Sequence, residues 1–225
     1  GAAAMREQPI DFETLRYTPL EIESSPVRCP SAQASRAMEE EIAAARAVGD
    51  TLGGEVAVAI HGVAPALGSY RGGGMMARLS KAAFSVNDVV SVSFGSACDV
   101  TRRRGSAAYD SAVLGAHGFA HATNISGGIE GGLTTGASVV MRVGVAPSAS
   151  LRAPQKSIDL ETLSDAESFS AAYSPCLVGG VAVAIEAEIA FALASAYQER
   201  FGGAAMSDIH SSYDAYMRRL RLAAR

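Results

Sequence analysis

The sequence predicts an α+β domain of layered strands and helices. Short runs of alternating hydrophobicity are separated by stretches with helical spacing. Apolar residues make up 48% of the chain against 19% charged, which excludes disordered and fibrous classes. Its 225 residues suffice for one sizeable core or at most two small ones. A net charge of −4 with a pI near 5.6 argues against nucleic acid as a partner, because phosphate binding needs a positive face. The three cysteines, Cys29, Cys98 and Cys176, show no metal-ligand spacing and fit a reduced, cytoplasmic compartment.

Residues 1–4 ahead of Met5 read as vector-derived, with Met5 as the natural start. Residues 5–30 carry Pro9, Pro19, Pro26 and Pro30 without periodicity and predict an extended arm; residues 31–225 follow as a single domain. Ser31 is a natural N-cap for a helix over 31–48, where Met38, Ile42 and Ala45 share a face and Gly49 ends it. Residues 55–60 alternate as a strand does, with Val56, Val58 and Ile60 on one face. After a flexible Gly72–Gly73–Gly74, a short helix runs through Met76, Leu79 and Ala83, and 89–94 is a second strand. The stretch 102–136 reads as loops with a strand near 119–123, and 138–145 alternates again.

Residues 177–196 are the most apolar stretch, about the length of a membrane span. Glu186 and Glu188 lie within it, and a central acidic residue costs about 2.5–3.5 kcal/mol on insertion. A buried amphipathic helix, continuing to 201 and closed by Gly202–Gly203, is therefore expected, with no membrane as partner. A final helix over 206–222 places Ile209, Tyr213, Tyr216, Met217 and Leu220 on one side.

No G-x-G-x-x-G, phosphate loop or G-x-S-x-G elbow is present. His117 and His121 are four apart, but Gly118 and Phe119 oppose a helix between them, so no metal is expected. The basic run Arg102–Arg103–Arg104 reads either as a solvated loop or as an anion clamp, since guanidinium forks grip phosphate and carboxylate. The glycine-rich run 126–132 reads either as a tight packed turn or as backbone that approaches a ligand closely.

Several segments together resemble chorismate synthase. Thr123–Asn124–Ile125–Ser126–Gly127–Gly128–Ile129–Glu130–Gly131–Gly132 is similar to that family's Asn-x-x-Gly-Gly-Ile-x-Gly-Gly signature. Gly49–Asp50–Thr51–Leu52–Gly53–Gly54 resembles its Gly-Asp-Ser/Thr-Leu-Gly-Gly turn, and Ser25–Pro26–Val27–Arg28–Cys29–Pro30 its Ser-Pro-Val-Arg-Cys-Pro entrance. Arg104–Gly105–Ser106 with Asp110 resembles the Arg-Gly-Ser-x-x-x-Asp loop. Order and spacing hold from about residue 25 to residue 205. The resemblance implies a chorismate-synthase-like β-α layered fold lacking the family's N-terminal portion.

Family members eliminate phosphate from 5-enolpyruvylshikimate 3-phosphate with reduced FMN and usually form homotetramers. On that resemblance, Asn87, Asp88, Gly131, Ser148 and Ser150 stand at flavin-binding positions. Several charged positions depart from the family. Its Lys-Pro-x-x-Ser/Thr reads Ala146–Pro147–Ser148–Ala149–Ser150, and its Arg-His/Ser-Asp followed by Pro-Cys reads Ala172–Tyr173–Ser174–Pro175–Cys176. The family's catalytic histidine and phosphate-binding arginines belong to the N-terminal portion.

These departures lead to the expectation of a diverged chorismate-synthase-like protein that does not form chorismate by itself. Each phosphate or carboxylate in a pocket needs charge-assisted partners, worth about 1.5–3 kcal/mol per hydrogen bond. The expected activity is a flavin-independent lyase or isomerase reaction on a small anionic metabolite, with no cofactor. Arg104 would hold the anion and Asp110 would accept the proton. The alternative is a non-catalytic or split-enzyme partner subunit. Either form would associate as a homo-oligomer or with a second subunit, because a partial fold exposes apolar surface and strand edges.

Overall fold

A computed structural model describes residues 17–115 and 118–223. In the stretch expected to be extended, α1 (Pro19–Glu23) forms a short helix. Thr18 starts it with a capping box, its hydroxyl accepting from the Glu21 amide while the Glu21 carboxylate reaches back to the Thr18 amide. Helix α2 (Ala32–Val48) begins at Ser31 and ends at Gly49, whose φ of 74° closes it in the left-handed region. The next elements are β1 (Gly54–Ile60), α3 (Met75–Phe84), β2 (Val89–Phe94) and the single turn α4 (Ala97–Val100). Among the described residues seven further strands follow: β3 (Ala112–Gly115), β4 (Gly118–His121), β5 (Ile129–Glu130), β6 (Leu133–Thr134), β7 (Val139–Val145), β8 (Gln155–Ile158) and β9 (Asp165–Ser168). Two helices, α5 (Val178–Phe201) and α6 (Met206–Ala223), complete the order.

The sheet order is β1–β7–β2, so β7 is central. Its alternate residues Val139, Met141, Val143 and Val145 are buried, as period-two geometry requires of a strand with one face on a core. The other strands form three antiparallel ribbons: β3 with β4, β5 with β6 and β8 with β9.

The chain divides into two compact units. One takes in the described residues up to Val56 together with Asn87–Ser91 and Gly144–Ala184; the other holds Ala57–Val86, Val92–Val143 and the described residues from Ile185 onward. The second unit has its own core, in which Leu67, Met75, Leu79, Ile129, Met141 and Ile185 are almost fully enclosed. Helix α3 contributes Met75, Leu79, Ala82 and Ala83 to it, three and four apart on one face. Where α5 meets α6, Phe201 stacks edge-on against Tyr213 with ring centres 5.5 Å apart, and Tyr197 and Tyr216 complete the cluster. The turn between these helices uses Gly202 and Gly203 at φ 66° and 101°.

Helix α5 differs from the expected buried helix. Only 11% of its most apolar window is buried, although by length and composition alone it could cross a membrane. Ile185, Ile189 and Ala196 face inward, while Val183 and Phe191 are 50% and 74% exposed. The helix is apolar on both sides, so a sequence reading has no polar face from which to learn that one side is bare.

Candidate functional site

The segments that carry the motifs gather within each unit. In the first unit the 49–54 turn is a hub. Its Thr51 hydroxyl donates to the Ser148 carbonyl at 2.7 Å, and its Leu52 amide donates to the Pro175 carbonyl at 2.7 Å. Tyr173 donates its hydroxyl to the Asp50 carbonyl at 2.6 Å. Gly53 is required there, because a Cβ would lie 2.4 Å from the Val145 carbonyl oxygen and 2.8 Å from the Pro147 nitrogen.

Asp88 adopts a left-handed φ of 66°, and its carbonyl accepts from the Ala146 amide at 2.7 Å. This sets the exposed Asn87–Asp88 turn against the start of the 146–150 segment. Within that segment the Ser150 amide donates to the Ser148 hydroxyl at 3.2 Å. Four stretches far apart in sequence, 49–54, 87–88, 146–150 and 173–176, are thus joined in one unit.

In the second unit, Asp110 holds the glycine-rich turn. Its carboxylate accepts from the Thr123 hydroxyl, from the Ile125 amide at 2.7 Å and from the Ser126 amide at 2.8 Å. Partial burial alone pushes this carboxyl up. The bonds from Thr123, Ser126 and Ile125 together outweigh it and hold the group below its ordinary value. A carboxylate so engaged anchors the turn.

Beyond the anchor, Gly127, Gly128, Gly131 and Gly132 all have positive φ. Gly127 packs against Gly95, where a Cβ on either would come within 2.4 Å of the other's backbone nitrogen. Gly131, in contrast, is open: a Cβ there would meet nothing within 4 Å. The first glycines therefore serve packing, and Gly131 leaves a free face. Arg104 is exposed at the start of the 3-10 turn Gly105–Ala107, and its carbonyl accepts from the Ala107 amide at 2.9 Å.

Three contacts in this unit escaped the sequence reading. His61 shares a 2.8 Å hydrogen bond between its Nδ1 and the Ser138 hydroxyl, while Asn124 donates its side-chain amide to the Ser138 carbonyl at 2.9 Å. His121 lies 3.9 Å from the Glu130 carboxylate. These pairings join separate segments of the chain and leave no mark in local spacing. His117 lies outside the described residues.

The family model for chorismate synthase matches residues 6–198, most of the chain. This chain belongs to the chorismate synthase family. A chorismate synthase of Rubrobacter xylanophilus is 40% identical over 203 residues, covering 89% of this chain and 52% of the relative. One from Mycolicibacterium vanbaalenii is 35% identical over 199 residues, covering 88% and 49%. A solved chorismate synthase structure superposes with a TM-score of 0.76 at 24% identity, covering 96% of this chain and 58% of that one. The chain thus has the chorismate synthase fold and spans about half the length of the curated relatives it matches.

Two expectations fall with these findings. The chain was expected to be diverged and not to form chorismate, yet relatives 35–40% identical over most of it are named chorismate synthase. It was expected to need no cofactor, yet the family depends on reduced FMN. The chain covers 52% and 49% of those relatives, and a pocket's balance of charge is set by all of its walls. The changes at Ala146, Ala172 and Ser174 remain as sequence differences within a family member.

Proposed function

We propose that this chain forms the glycine-turn segment of a chorismate synthase, acting with reduced FMN in the elimination of phosphate from 5-enolpyruvylshikimate 3-phosphate. The observation that carries this reading is the turn anchored by Asp110, which is rigid at Gly127 and open at Gly131. A flat ring can lie against backbone only where no Cβ intervenes, and Gly131 provides such a place. Reduced FMN, when bound, supplies an electron-rich ring beside the substrate. The protein's part here is to hold the turn fixed so that its backbone face does not close.

Arg104 is an exposed guanidinium of the same unit, suited to a carboxylate or phosphate of the substrate, a small anionic metabolite. We place the protein in the cytoplasm and in association with further polypeptide.

The test is a chimera in which residues 6–198 replace the matched segment of the Rubrobacter xylanophilus enzyme. Under anaerobic conditions with photoreduced FMN it is expected to form chorismate and release phosphate, and Arg104→Ala is expected to raise KM at least tenfold. A folded chimera that binds FMN and releases no phosphate would refute the proposal.

A further inference from the structure

Arg78 lies on α3, and its guanidinium reaches in two directions. The Nε donates to the Gly73 carbonyl at 2.9 Å, and Nη2 donates to the Glu199 carboxylate of α5 at 2.6 Å. A planar fork holds two acceptors at set angles, which an ammonium cannot do. The bond from Arg78 keeps the Glu199 carboxyl below its ordinary value, so both partners are charged at neutral pH. Their side chains are 29% and 60% exposed, and a pair this wet adds little to stability. Its consequence lies in the loop that it closes. Gly72–Gly73–Gly74 is costly to order, because glycine loses the most freedom on folding. Gly74 starts α3 without a side-chain cap, and the first helical amide, Met75, donates instead to the Gly132 carbonyl at 2.9 Å. The approach is close. A Cβ on Gly132 would lie 2.4 Å from the Ser69 carbonyl oxygen, and one on Gly74 would lie 3.3 Å from the Gly132 Cα. Neither segment can shift without the other.

We propose that Arg78 is a positioning residue for the open face at Gly131. Tied to Glu199, it fixes the 72–74 loop, and that loop fixes Gly132, the neighbour of Gly131. The inference rests on the reading of that face as the place of the flavin ring. The glycine-rich run is then held at both ends, by Asp110 at Ile125 and Ser126 and by the clasped loop at Gly132. Arg78 acts through the backbone of Gly73, Gly74 and Gly132 and not on a ligand. A misplaced wall costs affinity even where stability is unchanged, since binding depends on preformed geometry. An ion pair serving stability alone would show the reverse, a lower melting point with flavin affinity intact.

The experiment has two readouts. In the 225-residue chain, Arg78→Met keeps the apolar stem and removes both bonds. Hydrogen exchange at the Met75 amide is expected to quicken roughly fivefold or more, while Ile125 and Ser126, held by Asp110, stay as they were. Glu199→Ala, at an exposed position, removes only the tie to α5 and is expected to give a smaller change in the same direction. In the chimera, Arg78→Met is expected to weaken reduced-FMN binding by roughly fivefold or more with unchanged melting. Arg78→Lys keeps the charge but reaches one acceptor at a time, and is expected to restore only part of the affinity. With Gly131→Ala already closing the face, Arg78→Met is expected to weaken binding by less than about twofold further. Three results overturn the proposal: unchanged exchange at Met75, flavin affinity untouched by Arg78→Met, or a full additional loss on top of Gly131→Ala. Because exchange is read without flavin, an unaltered chimera that binds none counts against the proposed function, while quickened exchange at Met75 still supports the clasp.

Discussion

The Asp110 carboxylate accepts the Ser126 amide at 2.8 Å across sixteen residues of sequence, so the glycine-rich turn is held from outside itself. A turn with four positive-φ glycines has high conformational entropy when free, and glycine loses more freedom on ordering than other residues. Two amide donors and a hydroxyl converging on one carboxylate offset that loss. Asp110→Asn keeps the shape but removes the charge and one acceptor oxygen. The expected result is a loss of about 1–3 kcal/mol in urea unfolding, with faster amide exchange at Ile125 and Ser126. Unchanged exchange at both amides would show that the turn holds itself.

The same carboxylate sets a pH dependence. Its hydrogen bonds hold its folded value below the ordinary carboxylate value near 3.9, so its contribution is fully present above that value and is lost as pH falls through the folded one. Stability of the unaltered protein is therefore expected to fall more steeply than that of Asp110→Asn between about pH 5 and pH 2. Parallel curves from the two proteins would contradict this.

Much of the fold was legible in the sequence because its core elements carry periodic burial. Strand β7 buries every second residue, and α3 buries Met75, Leu79, Ala82 and Ala83, so both announce themselves by spacing. The ribbons β3–β4 and β8–β9 do not, apart from the strand expected near 119–123, which overlaps β4. Leu114 opposite Phe119 is a cross-strand pair, yet both side chains are nearly four-fifths exposed, and a ribbon with no buried face has no reason to alternate. Helix α5 failed in the opposite way, being apolar on its bare side as well as its buried one. At the site, glycines and flanking residues identified the turn, whereas the bond from Asp110 and the pairing of His61 with Ser138 depend on tertiary approach and are invisible to spacing.

Thr134 supplies a second rigid point near the turn. It is 3% exposed, donates its hydroxyl to the Ala64 carbonyl at 2.6 Å and accepts the Leu67 amide at 2.8 Å. Valine has the same shape but can do neither, leaving two buried backbone groups unpaired. Thr134→Val is expected to destabilise by about 1–3 kcal/mol for each orphaned group, while Thr134→Ser retains both bonds and costs about 1 kcal/mol for the lost methyl. Equal melting temperatures for the two variants would remove the hydroxyl from the account.

Two glycines of the same turn separate packing from access. Gly127 has φ 66°, and a Cβ there would sit 2.4 Å from the Gly95 nitrogen and 2.8 Å from the Val140 carbonyl oxygen, both backbone atoms that cannot swing aside. Gly131 has φ 55° with open space around the same position. Gly131→Ala therefore incurs only the left-handed strain of about 1–2 kcal/mol and is expected to fold, whereas Gly127→Ala adds a backbone collision and is expected to lose considerably more stability. Ligand binding orders them the other way. In the chimera, Gly131→Ala is expected to keep the native melting behaviour to within that strain and to lose reduced-flavin binding at least tenfold, because its methyl group occupies the open face. A Gly131→Ala chimera that binds flavin undiminished would mean the open face is not where the ring lies, and the turn would then be a packing device alone.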